Sequence, residues 1–158
     1  VSFTVHRLHP LRHAGSAWRG DGGLYYAGRW NRKGTPLVYA AATRSLATLE
    51  LLVHLHKASR LKIYGAAFAT IPDGLTYTLV TGALPKNWRS PAAYPACQAI
   101  AQQWIDDAES PVLEVPSAVE PQELCYLLNP RHPHFKRIKT SPLKPLALDP
   151  RIAGLQRD

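Results

Sequence analysis

No apolar run in the chain approaches the ~20 residues that a membrane-spanning helix requires, so no such helix and no membrane partner are expected. Cysteine is scarce: Cys97 and Cys125 are the only two. That is too few for a disulfide scaffold, and their separation is unlike that of zinc ligands, so both are expected to be buried free thiols. No block of five or six like charges marks a basic tail. Internal repeats and low-complexity segments are missing as well. Acidic residues are in deficit, eleven Asp and Glu against nineteen Lys and Arg, which leaves a formal net charge of +8 and a pI near 9.8. Such a balance attracts anions, whether nucleic acid, a phosphorylated metabolite or an acidic protein segment. The first residues, "VSFTVHRLHPLRH", have no apolar core of the kind a secretory signal carries, which suits a cytoplasmic location.

A length of 158 residues fits a single domain over 1–158, and at that size roughly 70% of the unfolded surface can be buried without staples. "FTVHRL" alternates as a first strand. "GSAWRGDGGLYYAGRW", with five glycines, reads as a shaped loop. It lacks the Gly-Lys-Ser/Thr ending of a P-loop and the Rossmann G-x-G-x-x-G spacing. "PLVYAA" is a short buried strand, and Thr43 caps a helix over "RSLATLELLVHLHKASR". "LKIYGAAFATI" and "LTYTLV", joined by the turn "PDG", are expected to be antiparallel neighbours. A second helix covers most of "ACQAIAQQWIDDA". "PVLEVPS", "LCYLLNP" and "FKRIKT" follow as strands. Strands outnumber helices without regular alternation, so the class is α+β, with mixed, mostly antiparallel sheet and flanking helices.

The first helix raises a question of its own. At about 100° per residue, Leu46, Leu49 and Val53 make one stripe, and Leu51, Leu52 and Leu55 fill most of the rest. A helix apolar on all sides is expected to be buried, yet Glu50 and His54 lie within it. A buried carboxylate without a partner costs several kcal/mol, or its pKa rises, so something polar should face it. The plain alternative is an i, i+4 Glu–His pair on an exposed edge. The same spacing could offer two metal ligands, but no further cluster completes such a site. The segment just upstream favours a ligand. Arg29 sits in a glycine-bearing loop, Tyr39 on a strand and Glu50 on the next helix, and this short connection can bring all three to one end of a sheet. An arginine, an aromatic ring and a carboxylate suit a nucleotide with a diphosphate, a flat ring and ribose hydroxyls.

These residues carry a family resemblance. "GGLYYAGRWNRKGTPLVYAAATRSLATLELLVHL" followed by "VLEVPSAVEPQELCYLLNPRHPHF" resembles the RES domain, named for an arginine, a glutamate and a serine. The likeness runs from about Arg7 to Ile138. The resemblance implies that those three residues are Arg29, Glu50 and Ser117, with Tyr39 and His54 also in the site. It implies a fold like that of ADP-ribosyltransferase toxins and an activity that destroys NAD+, by phosphorolysis or by transfer of ADP-ribose to a protein. In that reading NAD+ is substrate, inorganic phosphate is co-substrate, and no resident cofactor or metal is required. It also implies a cognate Xre-type helix-turn-helix antitoxin that blocks the site.

Cleavage of the nicotinamide–ribose bond leaves positive charge on the ribosyl ring, and Glu50 is the candidate to stabilise it. Arg29 would clamp a phosphate or ribose oxygen with its planar fork; its plain alternative is a structural salt bridge, for which Glu50 is the candidate partner. Tyr39 could face the nicotinamide ring, and His54 could meet phosphate or orient Glu50. Ser117 could bind ligand or cap a turn, and it sits in no G-x-S-x-G elbow. Arg7 is a candidate second phosphate contact. Asn129 and His132 could line the pocket or build a turn. A basic nucleic-acid-binding module or nuclease toxin is the competing class, suggested by the charge and the tryptophans. Direct nucleic-acid binding is not the expectation, because the basic residues gather on no single element.

Overall fold

The computed structural model describes residues 1–155, apart from the side chain of Thr81. Its strands are β1 (Ser2–Pro10), β2 (Val38–Ala41), β3 (Tyr64–Pro72), β4 (Thr76–Thr78), β5 (Val112–Pro116), β6 (Leu124–Leu128), β7 (Lys139–Thr140) and β8 (Lys144–Pro145). Its helices are α1 (Gly22–Tyr25), α2 (Arg44–Leu52), α3 (Tyr94–Asp107) and α4 (Pro150–Ala153). The strands join in one mixed sheet in the order β4-β5-β6-β2-β1-β3-β7, with β8 also on β3. Every pairing is antiparallel except β4 with β5. The α+β expectation therefore holds.

Both faces of the sheet are buried, and strand alternation decides which side chain goes where. On one face Val5, Val38, Ala40, Val112, Tyr126 and Leu128 pack with Ile71 and Ile138. On the other, Leu37, Leu113, Val115 and Leu127 meet Trp30 and the Cys97–Ala101–Trp104 stripe of α3. That stripe follows the i, i+4, i+7 spacing of a helix laid on a sheet.

Three local expectations are corrected. The "PDG" turn does not make a hairpin: β3 pairs with β1 from Ser2–Pro72 to Pro10–Tyr64 and with β7 and β8 on its other side. With both edges of β3 in use, the chain crosses to the far edge, where β4 runs parallel to β5. "FKRIKT" is mostly a 3₁₀ turn, Pro133–Arg137, with only Lys139–Thr140 extended, since Pro133 suits the first position of a turn and has no N–H for a ladder. α2 begins where expected, with Thr43 Oγ1 accepting from the Leu46 amide at 3.0 Å, but it ends at Leu52.

The buried side of α2 also differs from the leucine stripe. Leu46, Ala47 and Thr48 are buried, whereas Leu49 is 47% and Val53 41% exposed. Thr48 returns its hydroxyl to Arg44 O at 2.9 Å, which satisfies it inside the helix. Leu46 and Ala47 rest on Ala41, Leu8 and Cys125. Glu50 lies three and four residues beyond them, so the packed face of the helix leads straight to the carboxylate.

β1 and β2 barely pair. His6 opposite Ala41 is their single register partner. Next to it Arg7 fills the gap with its guanidinium: Nη1 donates to Tyr39 O at 2.8 Å and Nε to Ala17 O at 2.7 Å. Arg7 Nη2 donates to His9 Nδ1 at 3.3 Å. Burial, helped by the Arg7 cation, lowers the His9 pKa to about 4, so this imidazole is neutral and can accept. Burial also draws Arg7 down to about 10, which leaves it a cation at neutral pH.

Candidate active site

A cavity of ≈ 790 Å³ opens over the β1–β2 gap, within the size range of small-molecule sites. Arg7 from β1, Arg29 from the glycine-bearing loop, Tyr39 from β2, and Glu50 and His54 from α2 and the turn after it all line it. Five of the eight residues singled out from the sequence thus meet around one hollow.

Glu50 is half-buried, and its two oxygens have different surroundings. Oε1 accepts from Ser117 Oγ at 2.5 Å and from Cys125 Sγ at 3.4 Å. Oε2 has no protein donor among the described residues. Ser117 itself is 1% exposed and does not line the cavity. Its oxygen accepts from the Val119 and Glu120 amides at 3.1 and 3.0 Å. With both lone pairs taken, its one proton is directed at Glu50. The turn-cap role and the site role considered for this serine are therefore the same arrangement. Burial first, and the neighbouring Glu50 carboxylate second, push the Cys125 thiol far above its ordinary value. Cys125 is thus a neutral donor rather than a thiolate.

The facing wall is built from the loop that carries Arg29. Asn31, 3% exposed, donates to Tyr26 O at 3.0 Å and to Arg32 O at 3.2 Å. It also accepts the Tyr39 hydroxyl at 2.6 Å. The Trp30 amide donates to the same hydroxyl at 3.2 Å, and Gln98 of α3 donates to Gly28 O at 2.8 Å. Only glycine fits at position 28, because a Cβ there would lie 2.7 Å from both Asn31 Oδ1 and Tyr39 Oη. Tyr39 accordingly offers the cavity its ring, while its proton is committed to Asn31. Burial raises its pKa well above the ordinary phenol value, so it remains a phenol. Tyr39→Phe should therefore destabilise the chain by about 1–3 kcal/mol, since it strands a buried acceptor and an amide. Chemical denaturation checks this; an unchanged midpoint would mean the pair contributes nothing.

Arg29 does not pair with Glu50. Its Nη1 donates to Trp88 O at 2.5 Å and its Nη2 to Arg89 O at 3.0 Å. Its guanidinium carbon lies 4.8 Å from the Tyr94 ring centre and 5.7 Å from that of Trp88, a cation–π arrangement. The fork expected to clamp phosphate is turned instead onto two carbonyls.

Asn129 and His132 lie outside the cavity lining and build the turn after β6. Asn129 Oδ1 accepts from the Arg131 amide at 3.0 Å. His132 Nδ1 accepts from the His134 amide at 3.0 Å, so its Nε2 carries the proton toward Ala108 O at 2.9 Å. His54 is exposed at the cavity edge. Sequence reasoning did not single out His6, Arg89, Tyr94 and Cys125, which also line the cavity, nor Asn31, which braces it. Asn31 lies inside the quoted "GRWNRKG", the one available signal. The others depend on strand register or on bonds to main-chain carbonyls, which residue types do not announce.

Known proteins resemble this chain in sequence and, for one, in fold. A protein named Toxin Res from Yersinia enterocolitica is 38% identical over 150 residues, which cover 94% of this chain and 98% of that protein. The Prs ADP-ribosylating toxin of a Sphingobium species is 33% identical over 136 residues, 84% of each. In fold, a chain of the crystal structure of the M. tuberculosis MbcT–MbcA toxin–antitoxin complex superposes with a TM-score of 0.67 at 17% identity, covering 92% of this chain and 86% of its own. The RES domain model matches residues 4–149, and the chain accordingly belongs to the RES domain family.

Proposed function

We propose that this chain is the toxin of a toxin–antitoxin pair and that it destroys NAD+ by breaking the bond between nicotinamide and ribose. Phosphate is the acceptor, and the products are nicotinamide and ADP-ribose 1″-phosphate. The observation that carries the reading is Glu50, whose Oε1 is tethered by Ser117 at 2.5 Å while the residue borders a nucleotide-sized hollow.

As the bond breaks, its electron pair leaves with the nicotinamide nitrogen, which becomes neutral, and the ribosyl carbon gains positive charge. A carboxylate already fixed in place stabilises that charge without reorganising. Phosphate attacks through an oxygen that is already anionic, so no general base is required. The net charge of +8 favours the approach of both substrates. Membership of the RES family and the relatives' names support the toxin assignment. The complex in the structural neighbour's title supports an antitoxin partner, which we take to be an Xre-type helix-turn-helix protein acting with the toxin in the cytoplasm.

A second reading, transfer of ADP-ribose to a protein, has the name of the Sphingobium relative in its favour and would use Glu50 in the same way. Incubating the purified chain with NAD+, with and without phosphate, separates the readings. Nicotinamide and ADP-ribose 1″-phosphate, formed only with phosphate, are expected. Free ADP-ribose at the same rate without phosphate would mean hydrolysis. Intact NAD+ in every condition, candidate protein acceptors included, would end the enzymatic proposal; steep salt-dependent RNA binding in its place would promote the nucleic-acid class.

A further inference from the structure

Among the described residues three arginines line the cavity, Arg7, Arg29 and Arg89, and they differ in what their donors do. Arg7 gives Nε and both terminal nitrogens to protein acceptors. Arg29 gives both terminal nitrogens to the carbonyls of Trp88 and Arg89. Arg89 gives only Nε, to Ala118 O at 2.9 Å. A guanidinium has five N–H donors, so four remain on the two terminal nitrogens of Arg89, with no protein acceptor among the described residues. No ion pair engages it there either.

Arg89 is also held at both ends. Its carbonyl accepts from Arg29 at 3.0 Å, and its Nε is fixed to the residue after Ser117. Ser117 in turn holds Glu50. One line of bonds thus runs from Arg29 through Arg89 to the Ser117 turn and Glu50, with Arg89 joining the two walls. A planar fork that is exposed, anchored at Nε and otherwise unfilled is matched to the oxygens of a phosphoryl group.

We infer that Arg89 is a substrate-binding residue that grips a phosphoryl group in this cavity, and that Arg29 is the positioning residue that sets it there. The inference rests on the NAD+ reading. The phosphoryl group belongs either to the diphosphate of the dinucleotide or to inorganic phosphate, and the experiment distinguishes them.

Wild type and Arg89→Ala are titrated with ADP-ribose by calorimetry, and the KM for phosphate is measured in NAD+ turnover. About a tenfold or greater loss is expected in one of the two: in ADP-ribose affinity if the diphosphate is held, in phosphate KM if the acceptor is. The gap between wild type and variant should narrow as salt is raised, because a phosphoryl contact is screened. Arg89→Lys, which keeps the charge without the fork, should recover part of the loss. Values within twofold of wild type in both arms would overturn the inference, as would a loss that is equal at all salt concentrations. Wild-type NAD+ turnover separates the two levels: a variant like wild type, beside a wild type that cleaves NAD+, removes Arg89 and leaves the function standing.

Discussion

Glu50→Gln is expected to lower nicotinamide release by about 10²–10³-fold, the loss seen when a fixed electrostatic partner of a transition state is removed. The substitution conserves shape. A glutamine carbonyl can still accept from Ser117 Oγ, which now lies 2.5 Å from Oε1, and from the Cys125 thiol. The tie between α2 and the turn after β5 should therefore persist, with stability within ~1 kcal/mol of wild type. The variant separates charge from architecture: what disappears is the anion that meets a developing cation. Turnover and thermal unfolding measured on one preparation decide the matter. Full activity in a folded variant would remove the carboxylate from the mechanism, whatever the cavity binds.

Arg29→Lys should cost about 10²-fold in kcat/KM even though the charge is kept, the scale of penalty that a small misplacement of site groups carries. The expectation rests on the two carbonyls of Trp88 and Arg89, which a guanidinium spans with two nitrogens. An ammonium is a compact point charge that cannot lie flat on Tyr94, which Arg29 approaches at 4.8 Å. Released from this fork, the segment around Trp88 and Arg89 should exchange its amide hydrogens faster while the central strands keep their protection. Wild-type kinetics and unchanged exchange would show that the fork is dispensable.

The sequence made local features legible and distant ones not. The Thr43 cap is readable because its partner amide is three residues away. The meeting of Arg29, Tyr39 and Glu50 follows from one short stretch of loop, strand and helix. The end of α2 was not readable, because apolar residues continue past Leu52 while the backbone turns. β4 was misplaced because its partner is β5, far along the chain, and nothing in "LTYTLV" names it. The Glu50–Ser117 bond joins positions 67 residues apart; the family likeness paired them, but the direction of the serine proton emerged only from its two backbone donors. Arg89 passed unnoticed because the groups that orient it are main-chain carbonyls.

The seam between β1 and β2 has a consequence for how this protein can vary. A hollow exists there because two strands that could have zipped together part after a single rung. The guanidinium of Arg7 props them open by feeding the Tyr39 carbonyl that a neighbouring strand would otherwise serve, together with the Ala17 carbonyl in the turn after β1. An aliphatic side chain at that position would leave both acceptors without this donor, and the Tyr39 carbonyl regains one only if the strands close. Vacancy and cation come as a pair: the pocket lasts as long as its strut.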